Sequence, residues 1–446
     1  EKGDAHRQAA AAKRVVTASH RIGSGLLEAE GRLALGSALR ETGELDQALI
    51  ELETARRLMR TAGNRTGEAS AAYSLAVAYL AMGDIDAAVR EAETSLTTAL
   101  EAGARIIEGD ALNLLGSILL HQGDFAAALG VFTSALELQR ETGNSSGEAD
   151  AFNNLALVQM WSGDFVGAVD SFTQVRAQYR ELGKPQGEAA VVMNLARIDA
   201  VRGDLDGARS LFEEAAGLYR IQGNAEALAE ALFGLGEVLL TQGDLLGARA
   251  RHEEALALRR DHQLGTEAES EFALAGLTLS EAALGRRSYD DAVEELSRSV
   301  ATLADQNRPA LEADALNYLA EAHLGAGRVD EAEVVLDRIR ALAASSNSVT
   351  LMVLRINEAR LAGRNGRFEE AESILAAVIE EARAQSSFGV ELEARLVLAE
   401  ISAEAGDLNA ARRILGELSQ EASARGWNLI ADRASAITRS LPPGND

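Results

Sequence analysis

Residues 143–147, GNSSG, match the G-x-S-x-G turn on which hydrolases mount a nucleophilic serine. That turn needs a strand before it, a helix after it, and acid and histidine partners held by a sheet. Here both flanks carry helical spacing, and the sibling junctions replace Ser145 with Arg65 and Pro185. Ser146 is therefore expected to act as a helix cap, not a nucleophile. His252 and His262 flank the stretch EEALALRRD, but their ten-residue spacing fits no metal motif and no cysteine exists to complete a site. Both are expected at the surface. No G-x-x-x-x-G-K-[ST] phosphate loop occurs. Asn64 and Asn144 match glycosylation acceptors, yet their loops need them for turns and caps. No catalytic residue, metal ligand or cofactor is assigned, and the chain is expected not to be an enzyme.

Composition points the same way. The 446 residues are 47% hydrophobic but only 4% aromatic, with four prolines and forty glycines, so a core must be built from Ala and Leu at helical spacing. Lys plus Arg number 43 against 69 Asp plus Glu, a formal charge of −26. Such a field repels nucleic-acid backbones and favours cationic partners. The absence of cysteine excludes disulfides and is compatible with a reducing cytoplasm, the expected location. No apolar run is long enough to span a bilayer and no signal peptide is visible, so no membrane partner is expected. The chain opens at Glu1 in mid-pattern, as a piece of something longer would.

The elements that could position binding residues emerge from a repeat. A glycine followed by an acid recurs at Gly43, Gly83, Gly123, Gly163, Gly203 and Gly243, forty residues apart, and five residues after each stands Ala48, Ala88, Ala128, Ala168, Ala208 or Ala248. The series slips by four, then continues through Ala292, Ala332, Ala371 and Ala411, making ten units. Twelve positions before each alanine the residue is always small, as at Gly36, Gly116, Ala156 and Gly236. Apolar residues between these anchors fall at three- and four-residue steps, so each unit is two helices. The glycine can adopt the left-handed conformation that ends one helix, and the acid can accept from the free amides that open the next. Small residues on both helices let the axes approach, and Phe132, Phe172 and Phe212 are expected to fill the space between units.

This pattern resembles the tetratricopeptide repeat, in a forty-residue form with a second glycine-rich junction (GNRTGEA, GNSSGEA, GKPQGEA) between units. The longer form is similar to repeats of kinesin light chain. Its alanine- and arginine-rich wording is similar to arrays appended to bacterial serine/threonine kinases, winged-helix regulators or cyclases. The family's fourth-position tryptophan and helix-ending proline are missing. The resemblance implies an all-α, right-handed superhelical α-solenoid of about ten hairpins. Residues 1–22 would be the second helix of a preceding repeat and 23–425 the ten units, with four extra residues forming a soft spot near 261–272. Residues 426–441 would form a capping helix and 442–446 a tail.

In that family the first helix of each unit lines a concave groove, and transferring its groove positions by register marks a peptide-binding surface. It comprises Asp110, Asn113, Ser117, His121, Asp150, Asn153, Leu157, Met160, Trp161, Met193 and Arg197. Asn154 and Asn194 match asparagines that grip peptides in the forty-residue subfamily. A carboxamide both donates and accepts, so a row of them can pair with an extended backbone regardless of its side chains. Trp161 offers an aromatic anchor. Further along, Glu230, Glu237, Glu281, Asp314, Glu321 and Glu400 form an acidic lining expected to select basic segments, although glutamate on a helix is also ordinary solubilising charge. Two roles compete: a scaffold holding a peptide or protein, or the sensor of a larger signalling kinase, cyclase or transcription factor. The oligomeric state stays open.

Overall fold

A computed structural model describes residues 2–343 and 346–442 of the chain. Glu1 and, apart from Pro442, the expected tail lie outside the described residues. Among these residues there are twenty-two α-helices and no strand, an all-α solenoid of helical hairpins. The chain divides into two compact units, Glu1–Val191 and Val192–Asp446.

In the first unit, α1 (Lys2–Ile22) precedes four hairpins. These are α2 (Gly25–Thr42) with α3 (Leu45–Thr61), α4 (Arg65–Met82) with α5 (Ile85–Ala102), α6 (Arg105–His121) with α7 (Phe125–Glu141), and α8 (Ser145–Trp161) with α9 (Phe165–Glu181). The division falls inside α10 (Pro185–Arg202), not at the four-residue insertion. The second unit continues with α11 (Leu205–Gln222), α12 (Ala225–Thr241), α13 (Leu245–Asp261), α14 (Glu267–Ala283), α15 (Tyr289–Asp305) and α16 (Pro309–Gly325). It ends with α17 (Val329–Ala341), α18 (Ser348–Arg364), α19 (Phe368–Ala384), α20 (Phe388–Glu404), α21 (Leu408–Ala424) and α22 (Asn428–Ser440).

The Gly-Asp step does what its chemistry allows. Gly83 takes φ +80°, its N–H reaches Leu80 O, and the Asp84 N–H reaches Tyr79 O at 3.0 Å, which satisfies the last carbonyls of α4. The Asp84 carboxylate then accepts from Ala87 N at 3.0 Å and opens α5, as Asp124 does for α7. At the other junctions Asn64 and Asn144 cap α4 and α8 through Gly67 N and Gly147 N. The expectation for Ser146 is thus corrected. It lies in the first turn of α8, and the cap belongs to Asn144, which occupies the N-cap position and accepts from Gly147 N at 3.2 Å.

All ten alanines from Ala48 to Ala411 are fully buried. Their small first-helix counterparts make room for a side chain rather than merely for a backbone. A methyl group on Gly116 would lie 2.6 Å from the Phe132 ring. Phe132, Phe172 and Phe212 are buried in successive hairpins, and the register then places His252 in the same slot beneath Gly236. His252 has no exposure, which overturns the surface expectation for it. The forty-residue column, not the residue type, decides its place. His262 is exposed, in the loop that carries the insertion. That loop is tied down: buried Arg259 donates to Thr266 O and Ser270 Oγ, both at 2.9 Å.

Which face of the array can receive a partner follows from packing. Within the first unit α2, α4, α6 and α8 touch one another in sequence, and within the second so do α14, α16, α18, α20 and α22. Second helices make no comparable mutual contact among the described residues. Helices crowded on one side and splayed on the other curve each unit toward its first helices, which line the inner face.

Candidate functional site

On the inner face of the first unit, Tyr73, Asn113 and Asn153 occupy one column of α4, α6 and α8, with Asp110 and Asp150 one turn earlier. All five are partly buried. Burial pushes the Asp110 carboxyl above the ordinary aspartate range; Gln139, donating at 3.4 Å, opposes the rise, and neighbouring Asp150 adds to it. Burial likewise raises the Tyr73 phenol, with Asp110 and Asp150 contributing. Asp150 is already engaged, accepting from Tyr179 Oη at 2.9 Å and from Lys184 Nζ at 2.9 Å. The amides are freer: Asn113 Oδ1 is buried and accepts no hydrogen bond. Ser117 spends its hydroxyl proton on Asn113 O at 2.9 Å. Asn154, Leu157 and Met160 are half-buried, while His121 and Trp161 end their helices exposed, Trp161 at 56%.

In the second unit the expected site residues fare differently. Met193 is 5% exposed and offers no surface to a partner, so it is withdrawn from the set: its α10 position faces the apolar core. Asn194 is half-buried, and exposed Arg197 pairs with Glu230 at 2.9 Å. The acidic lining is largely neutralised from within. Glu281 meets Arg249 at 3.0 Å, Asp314 accepts from Thr350 Oγ1 at 2.6 Å, and Glu321 lies between Arg360 and Arg433 at 3.3 and 3.1 Å. Glu400 approaches Arg360 only at 3.9 Å, and burial pushes its carboxyl upward. The broad expectation of a free acidic surface is corrected for these positions. Glu237 differs: its neighbour is the His252 imidazole at 3.2 Å rather than a lysine or arginine.

A largely buried ionic network extends beyond the residues expected from the columns. Arg433 on α22 meets Glu393 of α20 at 2.8 Å as well as Glu321 of α16, and Arg360 hydrogen-bonds Glu393. Burial disfavours the Glu393 carboxylate, but Arg433 and Arg360 overcome it and hold the group below the usual glutamate range. Arg360 also donates to Asn357 Oδ1, and Asn357 in turn donates to Asn317 O, both at 3.0 Å. A signal existed: Glu321, Arg360 and Glu400 share one column in alternating sign, and Glu393 and Arg433 stand forty residues apart.

The end of this unit meets its beginning. Asn428 Nδ2 donates to Gln242 O at 3.2 Å, just beyond α12, and Gly426 approaches the Leu205 side chain. Where α22 closes, an apolar pocket opens between Trp427 and the Val201, Leu205, Phe212 and Val238 side chains, with Arg197, Glu237 and Thr241 around it. Among the described residues no group of three His, Asp or Glu could hold a metal ion. Nor is any helix long and apolar enough to cross a membrane.

Among the described residues, helical hairpins with a small-residue seam, a buried slot that holds phenylalanine in three of them, and a polar inner face define a tetratricopeptide-repeat array. Residues 186–433, more than half of the chain, match the family model described as the MalT-like TPR region, and the chain belongs to that family. Residues 108–185 and 69–94 match tetratricopeptide-repeat models. Solved structures with this fold include the apo quorum sensor NprR from B. thuringiensis, at 13% identity over 81% of this chain and 98% of that one, TM-score 0.55. A second is a signal transduction ATPase with numerous domains from Pyrococcus horikoshii that carries a tetratricopeptide repeat sensor; identity is 12% over 72% of this chain and 52% of that one, TM-score 0.53. A third is a Rap protein complexed with Competence and Sporulation Factor, at 14% identity over 86% and 99%, TM-score 0.50. Comparison with curated protein sequences gives no match.

Proposed function

We propose that this chain is a non-catalytic binding array that receives a peptide or extended protein segment on the inner face of its first unit. On this reading α1 is the second helix of a preceding repeat, ten repeats occupy 23–425, and α22 is the closing helix. The observation that carries the reading is the amide column: Asn113, with an unused buried acceptor, and Asn153 stand in register on α6 and α8, and the exposed indole of Trp161 ends α8 about two turns further on. Amides spaced along stacked helices match the alternating donors and acceptors of an extended backbone. Asn154, Leu157 and His121 would border the same segment. The related fold of a Rap protein complexed with Competence and Sporulation Factor is in keeping with such use. Replacing Asn113, Asn153 and Trp161 together by alanine should abolish capture of the partner from lysate while leaving helix content unchanged. Undiminished capture would remove the site.

A second reading makes the array the ligand sensor of a larger bacterial signalling protein in the cytoplasm. It is favoured by the closure of α22 onto α12, an arrangement a ligand could tighten or release. Two proteins of related fold, a quorum sensor and a signal transduction ATPase with a repeat sensor, are in keeping with it. X-ray scattering with and without ligand decides: identical profiles at saturation count against a sensor.

A further inference from the structure

The pocket under Trp427 has a shape and a charge that the first-unit surface does not account for. Its floor is Leu205, Phe212 and Val238, each under 6% exposed, and one wall is Val201, an apolar side chain left 65% exposed. It offers about 420 Å³, within the size range of small-ligand sites. It exists because Gly234 stands where the same register carries Asn154, Asn194, Tyr318 and Asn357; a methyl group there would lie 2.5 Å from the Phe212 ring.

The charges around it are unequal. Arg197 is already balanced by Glu230, whereas Glu237, with a half-exposed side chain, has no lysine or arginine partner. An apolar hollow beside an acid without such a partner fits an aliphatic side chain with a cationic neighbour. We infer that this pocket binds an extended peptide through one bulky aliphatic residue, with an adjacent lysine or arginine facing Glu237. The inference rests on the reading of the array as a peptide binder and assigns it a second, separate site.

Occupancy has a mechanical consequence. The pocket walls come from α10–α12 on one side and from Trp427, the residue that opens α22, on the other. A peptide touching both binds only the closed arrangement, so it must stabilise the Asn428–Gln242 contact in proportion to its occupancy.

The chain has two tryptophans, so a Trp161→Phe protein leaves Trp427 as the sole indole reporter. The probe is acetyl-Gly-Lys-Leu-Lys-Gly-amide, with serine replacing its leucine or glutamine replacing its lysines in two companions. The leucine-lysine probe should shift Trp427 emission saturably, and the serine probe should bind at least about tenfold more weakly, as loss of one buried aliphatic side chain predicts. Val201→Asp, at a side chain left 65% exposed, should weaken the probe by a similar factor. Glu237→Gln should weaken the lysine probe by about 2- to 5-fold and leave the glutamine probe unchanged. At ten times the dissociation constant, amide exchange in α22 should slow by roughly tenfold. Failure of all three probes to bind, calorimetric binding without a Trp427 response, or equal affinity for Val201→Asp overturns the inference. Capture by the first unit, tested with the Asn113, Asn153 and Trp161 variant, is read separately and can survive that failure.

Discussion

His252→Phe should stabilise the second unit, against the usual rule that a substitution in a packed core costs stability. His252 is fully buried, and neither ring nitrogen makes a hydrogen bond; Nε2 lies 3.2 Å from Glu237 Oε1 but out of line for donation. An unsatisfied buried polar group costs about 1–3 kcal/mol. Phenylalanine removes that cost, and the slot is made for it: Phe132 sits under Gly116 just as His252 sits under Gly236, with the hypothetical methyl group at 2.6 Å in both hairpins. The Phe233 ring, 5.3 Å away and edge-on, can keep its aromatic contact. Allowing for some overpacking, the net gain should be about 1–2 kcal/mol, or roughly 2–6 °C in Tm. Because repeat arrays need not unfold in one step, the transition should be followed by Trp427 emission in a Trp161→Phe background. The reciprocal Phe132→His should destabilise the first unit by about 1–3 kcal/mol. A loss of stability in His252→Phe would refute the reasoning, since it would mean that Glu237 satisfies the imidazole after all.

Three further outcomes follow from the same packing and charge. Gly116→Val should cost about 1–3 kcal/mol by driving a side chain into Phe132, measured by urea denaturation, whereas Gly130→Ala, which meets nothing within 4 Å, should not destabilise. Arg433→Met should cost about 3–5 kcal/mol near neutral pH because it strips Glu393 of a buried partner, and amide exchange in α22 should report it. Glu393 has a lowered folded pKa, so its contribution is present above the ordinary glutamate value and is lost as pH falls through the lowered one; the gap between the wild type and Arg433→Met should close on acidification. Asp110 is the opposite case. Its folded pKa is raised, so stability is lost as pH climbs from the ordinary aspartate value to the raised one and stays lost above it, and Asp110→Asn should raise the thermal midpoint at neutral pH with no gain below the ordinary aspartate range.

What the amino-acid order determined by itself was local and periodic. Helices, their Gly-Asp stops and the ten buried alanines follow from rules that act within about five residues, repeated every forty. The inner column of Asn113 and Asn153 was legible for the same reason, since register alone places residues on a face. His252 shows where residue type misleads and register does not: its column outweighed its polarity. Tertiary structure decided what depends on residues far apart in the chain. The acidic row looked open until Arg360, Arg249 and Arg433 came across to fill it, and Met193 looked accessible until its neighbours covered it. Nothing in a forty-residue period tells α22 to meet α12, because that contact depends on the small rotation added at each hairpin. The pocket under Trp427 is made by that accumulated curvature, and only the folded unit contains it.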